Sequence, residues 1–378
     1  MRRSLVYVVA GLAAALAACA EEGDRNVTMP KRPFAPSNAP THPKEKPSGF
    51  VVHNRIGNPL DDMMRGEGPG LVVLGGGAEV DDAYVWMRTT IGGTRRSAGD
   101  VVVLRVTDDD TYAEYVYAHG AFNSVQTIVV PQDATAENLD EAAAIVDRAE
   151  GIIFASDDAS AFLRWRDSTL AMAVQRAFDR GGVIAGTGGG ASVFGQFAHD
   201  TRAAATAVQT PDALANPYEK TIAFARDTFR LPQLEGLIID THFRENDRFG
   251  RLAAFMARQV ADGTLATHPP RVFGIGVDEG NAVVIDRFAR ASLVQADTAG
   301  GGAYIITGGT PEQIMPDAPL IYRNLVVARL DAPGEMFDLD RACGTAFVYP
   351  VSVTGGGGRA YTPADPYEAP GIAHDCPL

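Results

Sequence analysis

Basic residues are scarce in this chain: 33 lysines and arginines face 47 aspartates and glutamates, leaving a formal net charge of −14. That balance repels phosphate backbones and anionic headgroups, which excludes an electrostatic nucleic-acid footprint and leaves peptides, small molecules or proteins as partners. Long apolar runs are also missing. The most apolar stretch, Leu5 to Leu16, is shorter than the roughly 20 residues a membrane-spanning helix needs. No tandem repeat occurs, which sets aside solenoids and propellers. Cysteine is limited to Cys19, Cys343 and Cys376.

What is present begins with an export signal. Arg2 and Arg3 precede the apolar run, and Leu16-Ala17-Ala18-Cys19 looks like a bacterial lipobox. Residues 1–19 are therefore expected to be a lipoprotein signal, with Cys19 lipidated and the membrane reached through acyl chains, on the periplasmic or cell-surface side. Residues 20–69, rich in Pro, Lys and Asn, read as a flexible tether. An oxidising compartment favours a disulfide between Cys343 and Cys376 that pins the last segment onto the domain.

From Gly70 the chain alternates continuous apolar runs ("GLVVLGGG", "DVVVLRVTDDD", "SVQTIVVPQ", "EGIIFASDD", "GGVIAGTGGG") with helical patterns such as "TLAMAVQRAFDR". Runs of that kind suit parallel strands buried on both faces, and the βαβα alternation predicts a doubly wound, mostly parallel α/β sheet of flavodoxin-like type over residues 70–290. "RVFGIGVDEGNAVVIDRF" reads as a hairpin-like strand pair turning at Asp278-Glu279-Gly280, and residues 291–378 as a β-rich extension of the same sheet.

Three segments sit where open α/β sheets build their sites, at the carboxyl ends of strands. Gly76 and Gly77, in a triglycine, offer backbone N–H groups to an oxyanion. Gly186-Thr187-Gly188-Gly189-Gly190 has the G-x-S-x-G frame of a nucleophile elbow with glycine at its centre, and Gly189 supplies a second N–H. A phosphate loop is the competing reading, yet neither G-x-x-x-x-G-K-[ST] nor a clean G-x-G-x-x-G is present. Ser192, one turn on, is better placed to bond back to its own helix than to replace a nucleophile. The third segment is Asp240-Thr241-His242, in which His242 is a candidate base. Arg248 and Arg251, three apart on the following helix, are placed to bind a carboxylate or to be solvated.

Taken in order, these segments resemble the cyanophycinase family of serine peptidases, related to aspartyl dipeptidases and similar in fold to class I glutamine amidotransferases. "LVVLGGGAEVDD" resembles the family's first strand and glycine turn, and "GGVIAGTGGGASVFG" its elbow, normally G-T-S-A-G-A. "DTHFRENDRFGRL" resembles its D-Q-H-F segment, and "FGIGVDEGNAVVI" its G-I-G-I-D-E-x-T-A segment. The resemblance spans Gly70 to Phe288. It implies an attacking Ser at position 188, which is glycine here, and a general base at His242 oriented by an acid. The family's acid usually follows the elbow closely, where only Asp200 and Asp212 are available. Thr241 stands in the Gln position of D-Q-H-F. Ala155-Ser156-Asp157-Asp158-Ala159 replaces the family's G-G-x-Q, so Asp157 and Asp158, with Asp240, Thr241, Arg248 and Arg251, are the substrate-binding candidates. Serine-peptidase activity is not expected, nor a cofactor or bound metal. The expected function is peptide binding or regulation, with a peptide or small molecule as ligand and a second copy of the chain as a candidate partner. The alternative is an active peptidase or amidase using another nucleophile, or a metal-bound water held by Asp157, Asp158 and His242.

Overall fold

The computed structural model describes residues 49–62, 66–203, 207–265, 272–297, 299–374 and 376; the signal, Cys19 and most of the tether lie outside the described residues. The first half runs Gly70–Leu74 (β1), Asp81–Gly92 (α1), Asp100–Arg105 (β2), Thr111–Gly120 (α2), Ser124–Val129 (β3), Ala136–Val146 (α3), Gly151–Ala155 (β4), Ala159–Leu163 (α4), Thr169–Asp179 (α5) and Val183–Thr187 (β5). The strands are mostly apolar because both faces are covered. Leu71 and Val73 of β1 enter one core with α3 and α5, while Val72 and Leu74 enter another with α1 and α2. α5 shows how the helices fit. Leu170, Ala173, Val174, Ala177 and Phe178 form a helical stripe that is wholly buried, and Ser168 caps the start by accepting from Ala171 N–H.

The second half adds Gly189–Ser192 (α6), Thr210–Ala215 (α7), Leu237–Thr241 (β6), Phe249–Ala261 (α8), Val272–Val277 (β7), Asn281–Ile285 (β8), Arg290–Gln295 (β9), Ala303–Gly308 (β10), Ile321–Leu330 (β11) and Phe347–Thr354 (β12). The fold is α/β, and it differs from the expected single sheet in three ways. The parallel strands of the first sheet lie in the order β3-β2-β4-β5-β1, with the first strand beyond the fifth in place of the flavodoxin-like 2-1-3-4-5. β8 then continues this sheet antiparallel to β1, and β9 lies antiparallel to β8. β6 and β7, parallel to each other, belong instead to a second sheet that β10, β11 and β12 extend antiparallel.

The hairpin expected at Asp278-Glu279-Gly280 is therefore a crossing from one sheet to the other. A short turn between apolar strands looks like a hairpin in sequence, but α8 returns the chain so that β7 pairs with β6, and β8 goes to β1. Likewise the boundary expected at 290 meets the first residue of β9, and the segment 291–378 contributes strands to both sheets.

Cys343 and Cys376 form a disulfide, Cα to Cα 4.9 Å, beside a Gly344 N–H to His374 carbonyl bond of 2.9 Å. With the partners 33 positions apart in sequence, loop-closure entropy gives the crosslink about 3–4 kcal/mol. Cys376→Ser is accordingly expected to lower the unfolding free energy by that order in oxidising buffer and to change nothing under full reduction. Equal stability of the two oxidised proteins would refute the contribution.

Candidate active site

Five strand ends meet at one place. Leu74 and Ala155 both stand in register with Thr187, and Thr241 with Val277, so the residues that follow β1, β4 and β5 in one sheet and β6 and β7 in the other lie at neighbouring edges. Gly188 follows β5 with φ 53° and ψ −124°, a backbone that costs a side-chain-bearing residue about 1–3 kcal/mol. A Cβ added there would point at the imidazole of His242, 3.5 Å from Nε2, and would collide with Oδ1 of Asp157. This is the direction a nucleophilic side chain would take, and a carboxylate oxygen fills it.

His242 follows β6 at φ 47°, its N–H donating to the Gly75 carbonyl at 2.8 Å. Its Nδ1 meets Glu279 Oε1 at 2.7 Å, and its Nε2 lies 3.8 Å from Asp157 Oδ1, an ion pair and too long for a hydrogen bond. Glu279 is therefore the orienting acid, and neither Asp200 nor Asp212 takes that role. Asp200 pairs with Arg202 at 2.6 Å, and Asp212 sits in the first turn of α7. The Asp157 carboxylate raises the imidazole pKa above its usual value; burial opposes this, and Glu279 adds to the rise. The triglycine has a packing reason. A side chain at Gly76 would strike the His242 ring and one at Gly77 would strike Glu279, so only glycines let the pair lie on this turn. The N–H groups of Gly76 and Gly189 donate to no described residue.

Two tyrosines of the C-terminal segment fix the loop after His242. Tyr367 and Tyr361 accept from Phe249 N–H and Gly250 N–H at 3.1 and 3.2 Å and donate to Asp247 Oδ1 at 3.0 and 3.3 Å, while Glu368 pairs with Arg244.

No protein-family model matches the chain, and no curated protein does. Among solved structures it is similar to a peptidase from an acI-B1 Actinobacterium, at 15% identity over 73% of this chain and 98% of that one, TM-score 0.43. It is also similar to a "Putative Peptidase E Protein" from Listeria monocytogenes EGD-e, at 9% identity over 60% of this chain and 98% of that one, TM-score 0.38. Neither is similar enough to assign an activity.

The other expected site residues divide. Asp158 caps α4, Oδ1 accepting from Ser160 N–H at 2.9 Å and Oδ2 from Gln132 Nε2 at 2.9 Å, so its carboxylate is committed to the fold. Among the described residues no group of three His, Cys, Asp or Glu is arranged to hold a metal ion. Asp240 and Arg251 are buried against each other, Nε to Oδ2 2.9 Å, with Arg251 Nη1 on the Val208 carbonyl at 3.1 Å. Each is thus engaged by a partner inside the fold. Thr241 is buried within β6, and its carbonyl accepts from Arg248 Nη1 at 2.6 Å. Ser192 Oγ donates back to the Gly189 carbonyl at 2.8 Å.

Asp278, beside Glu279, is fully buried. It accepts from Arg244 N–H at 3.0 Å, Gly302 N–H at 2.9 Å and Tyr304 Oη at 3.1 Å, joining the His242 loop to the crossing turn. Burial pushes its pKa up to about 6. A carboxyl whose folded pKa is raised adds stability below its unfolded pKa of about 4 and loses it as pH rises through the folded value. Between about pH 4 and about pH 6 the unfolding free energy measured by denaturant should thus fall more steeply, or rise less, in the wild type than in Asp278→Asn. Parallel profiles for the two proteins would contradict the assignment.

Proposed function

We propose that the chain is a peptide-binding or regulatory protein on a cyanophycinase-like, serine-peptidase scaffold, exported as a lipoprotein and closed to the serine acyl-enzyme route. The observation that carries this reading is the set Gly188, His242 and Glu279. The backbone of Gly188 aims its missing side chain at an imidazole that an acid already orients, as a Ser-His-acid triad requires, and the attacking atom alone is gone. In a serine protease, loss of that atom costs on the order of a million-fold in turnover. The N–H groups of Gly76 and Gly189, which donate to no described residue, are the oxyanion donors in this reading. The test is peptide hydrolysis, β-aspartyl dipeptides included, by the purified full chain, with a fluorophosphonate as probe for an active serine. Neither turnover nor labelling is expected. Turnover well above background would overturn the proposal, and its loss in EDTA would favour a metal-bound water.

A further inference from the structure

We infer that the slot beside His242, open because residue 188 is glycine, is a carboxylate-binding subsite that Asp157 occupies in cis and that the free carboxylate of a peptide end or small acid takes over. This deepens the elbow reading above and rests on it. A Cβ at 188 would collide with Asp157 Oδ1, so the space of the missing side chain holds a carboxylate oxygen. Asp157 lies on the loop after β4 with its side chain 68% exposed, so leaving the slot sacrifices little burial. The charged groups facing His242 are Asp157, Glu279 and Arg248. Glu279 holds Nδ1, which leaves Nε2 to meet an anion. Arg248 keeps Nη1 on the Thr241 carbonyl and on Asp240.

Exchange of one carboxylate for another keeps the charge at Nε2 unchanged. An amide or amine in the same place would leave Glu279 as the only carboxylate on the half-buried ring among the described residues, and that difference selects acids.

The experiment follows the His242 Cε1–H by NMR in the full chain, in the wild type, Asp157→Ala and Asp157→Asn. The probes are acetate and an N-acetyl dipeptide in acid and amide forms. In Asp157→Ala the ring is expected to titrate at lower pH than in the wild type, and saturating acetate should restore it. The dipeptide acid should bind Asp157→Ala on the order of tenfold more tightly than it binds the wild type, and tenfold more tightly than the amide binds that variant. Asp157→Asn, which still fills the slot, should show the lower titration and no acetate effect. If acetate alone reproduces the binding of the dipeptide acid, the source is a small acid; tighter binding of the dipeptide identifies a peptide end. Unmoved titration in both variants, or equal binding of acid and amide, overturns the inference. Peptide hydrolysis by the wild type would count against the proposed function and not against these titrations.

Discussion

Gly188→Ser combined with Asp157→Ala is expected to turn the site on: fluorophosphonate labelling and ester hydrolysis should rise by at least about a thousand-fold over the wild type, well within the million-fold that a triad serine controls. The single change Gly188→Ser should do much less, for two reasons. The new Cβ would meet Asp157 Oδ1, and the same carboxylate favours the protonated imidazole, which cannot accept a serine proton. Removing Asp157 clears the space and takes away the larger of the two carboxylate influences that favour the protonated ring, leaving the imidazole held by Glu279. The serine would sit at φ near 53°, so the double variant should be less stable by about 1–3 kcal/mol. A double variant with unchanged circular dichroism and no labelling would show that the slot is not a serine position.

Asp240→Ala is expected to be among the most destabilising single changes in the protein, by about 3–5 kcal/mol in denaturant unfolding, because it strands the buried Arg251 guanidinium. The consequences extend beyond the pair. The Arg251 charge lies close enough to His199 to join burial in lowering that imidazole's pKa, and Arg248 also leans on Asp240 at 3.3 Å. The replacement of both partners by Leu and Met should recover part of the loss, since the buried guanidinium leaves with its partner and Arg248, which loses the same carboxylate, keeps the Thr241 carbonyl. A loss below about 1 kcal/mol for Asp240→Ala would mean that water reaches this pair as it reaches a surface salt bridge.

These two sites mark what could and could not be read from sequence. The parallel strands and the elbow were readable because strands buried on both faces are continuously apolar and end in glycine. Gly188 and His242 were readable because each follows such a run. Glu279 reads in the sequence only as part of a turn. Its approach to His242 depends on β7 and β8 joining different sheets, which apolar patterning does not encode. One signal was available: β6 and β7 are both apolar runs that end in polar residues, so a parallel pairing would set their ends side by side. The fate of Asp240 and Arg251 was hidden for a related reason. A polar residue at a strand end looks the same whether it faces a ligand or a helix eleven residues on, and only packing decides.

The tyrosine contacts on the His242 loop have a temporal meaning. Tyr361, Tyr367 and Glu368 reach partners 111 to 124 residues earlier in the chain, so the loop cannot settle until those later residues have been made. Contacts of such separation form late because their loop-closure entropy must be met first. The parallel strands of the first sheet can assemble as they emerge, whereas the groups around His242 gain their final geometry only when the C-terminal segment docks. The site thus depends for its final geometry on residues far along the chain.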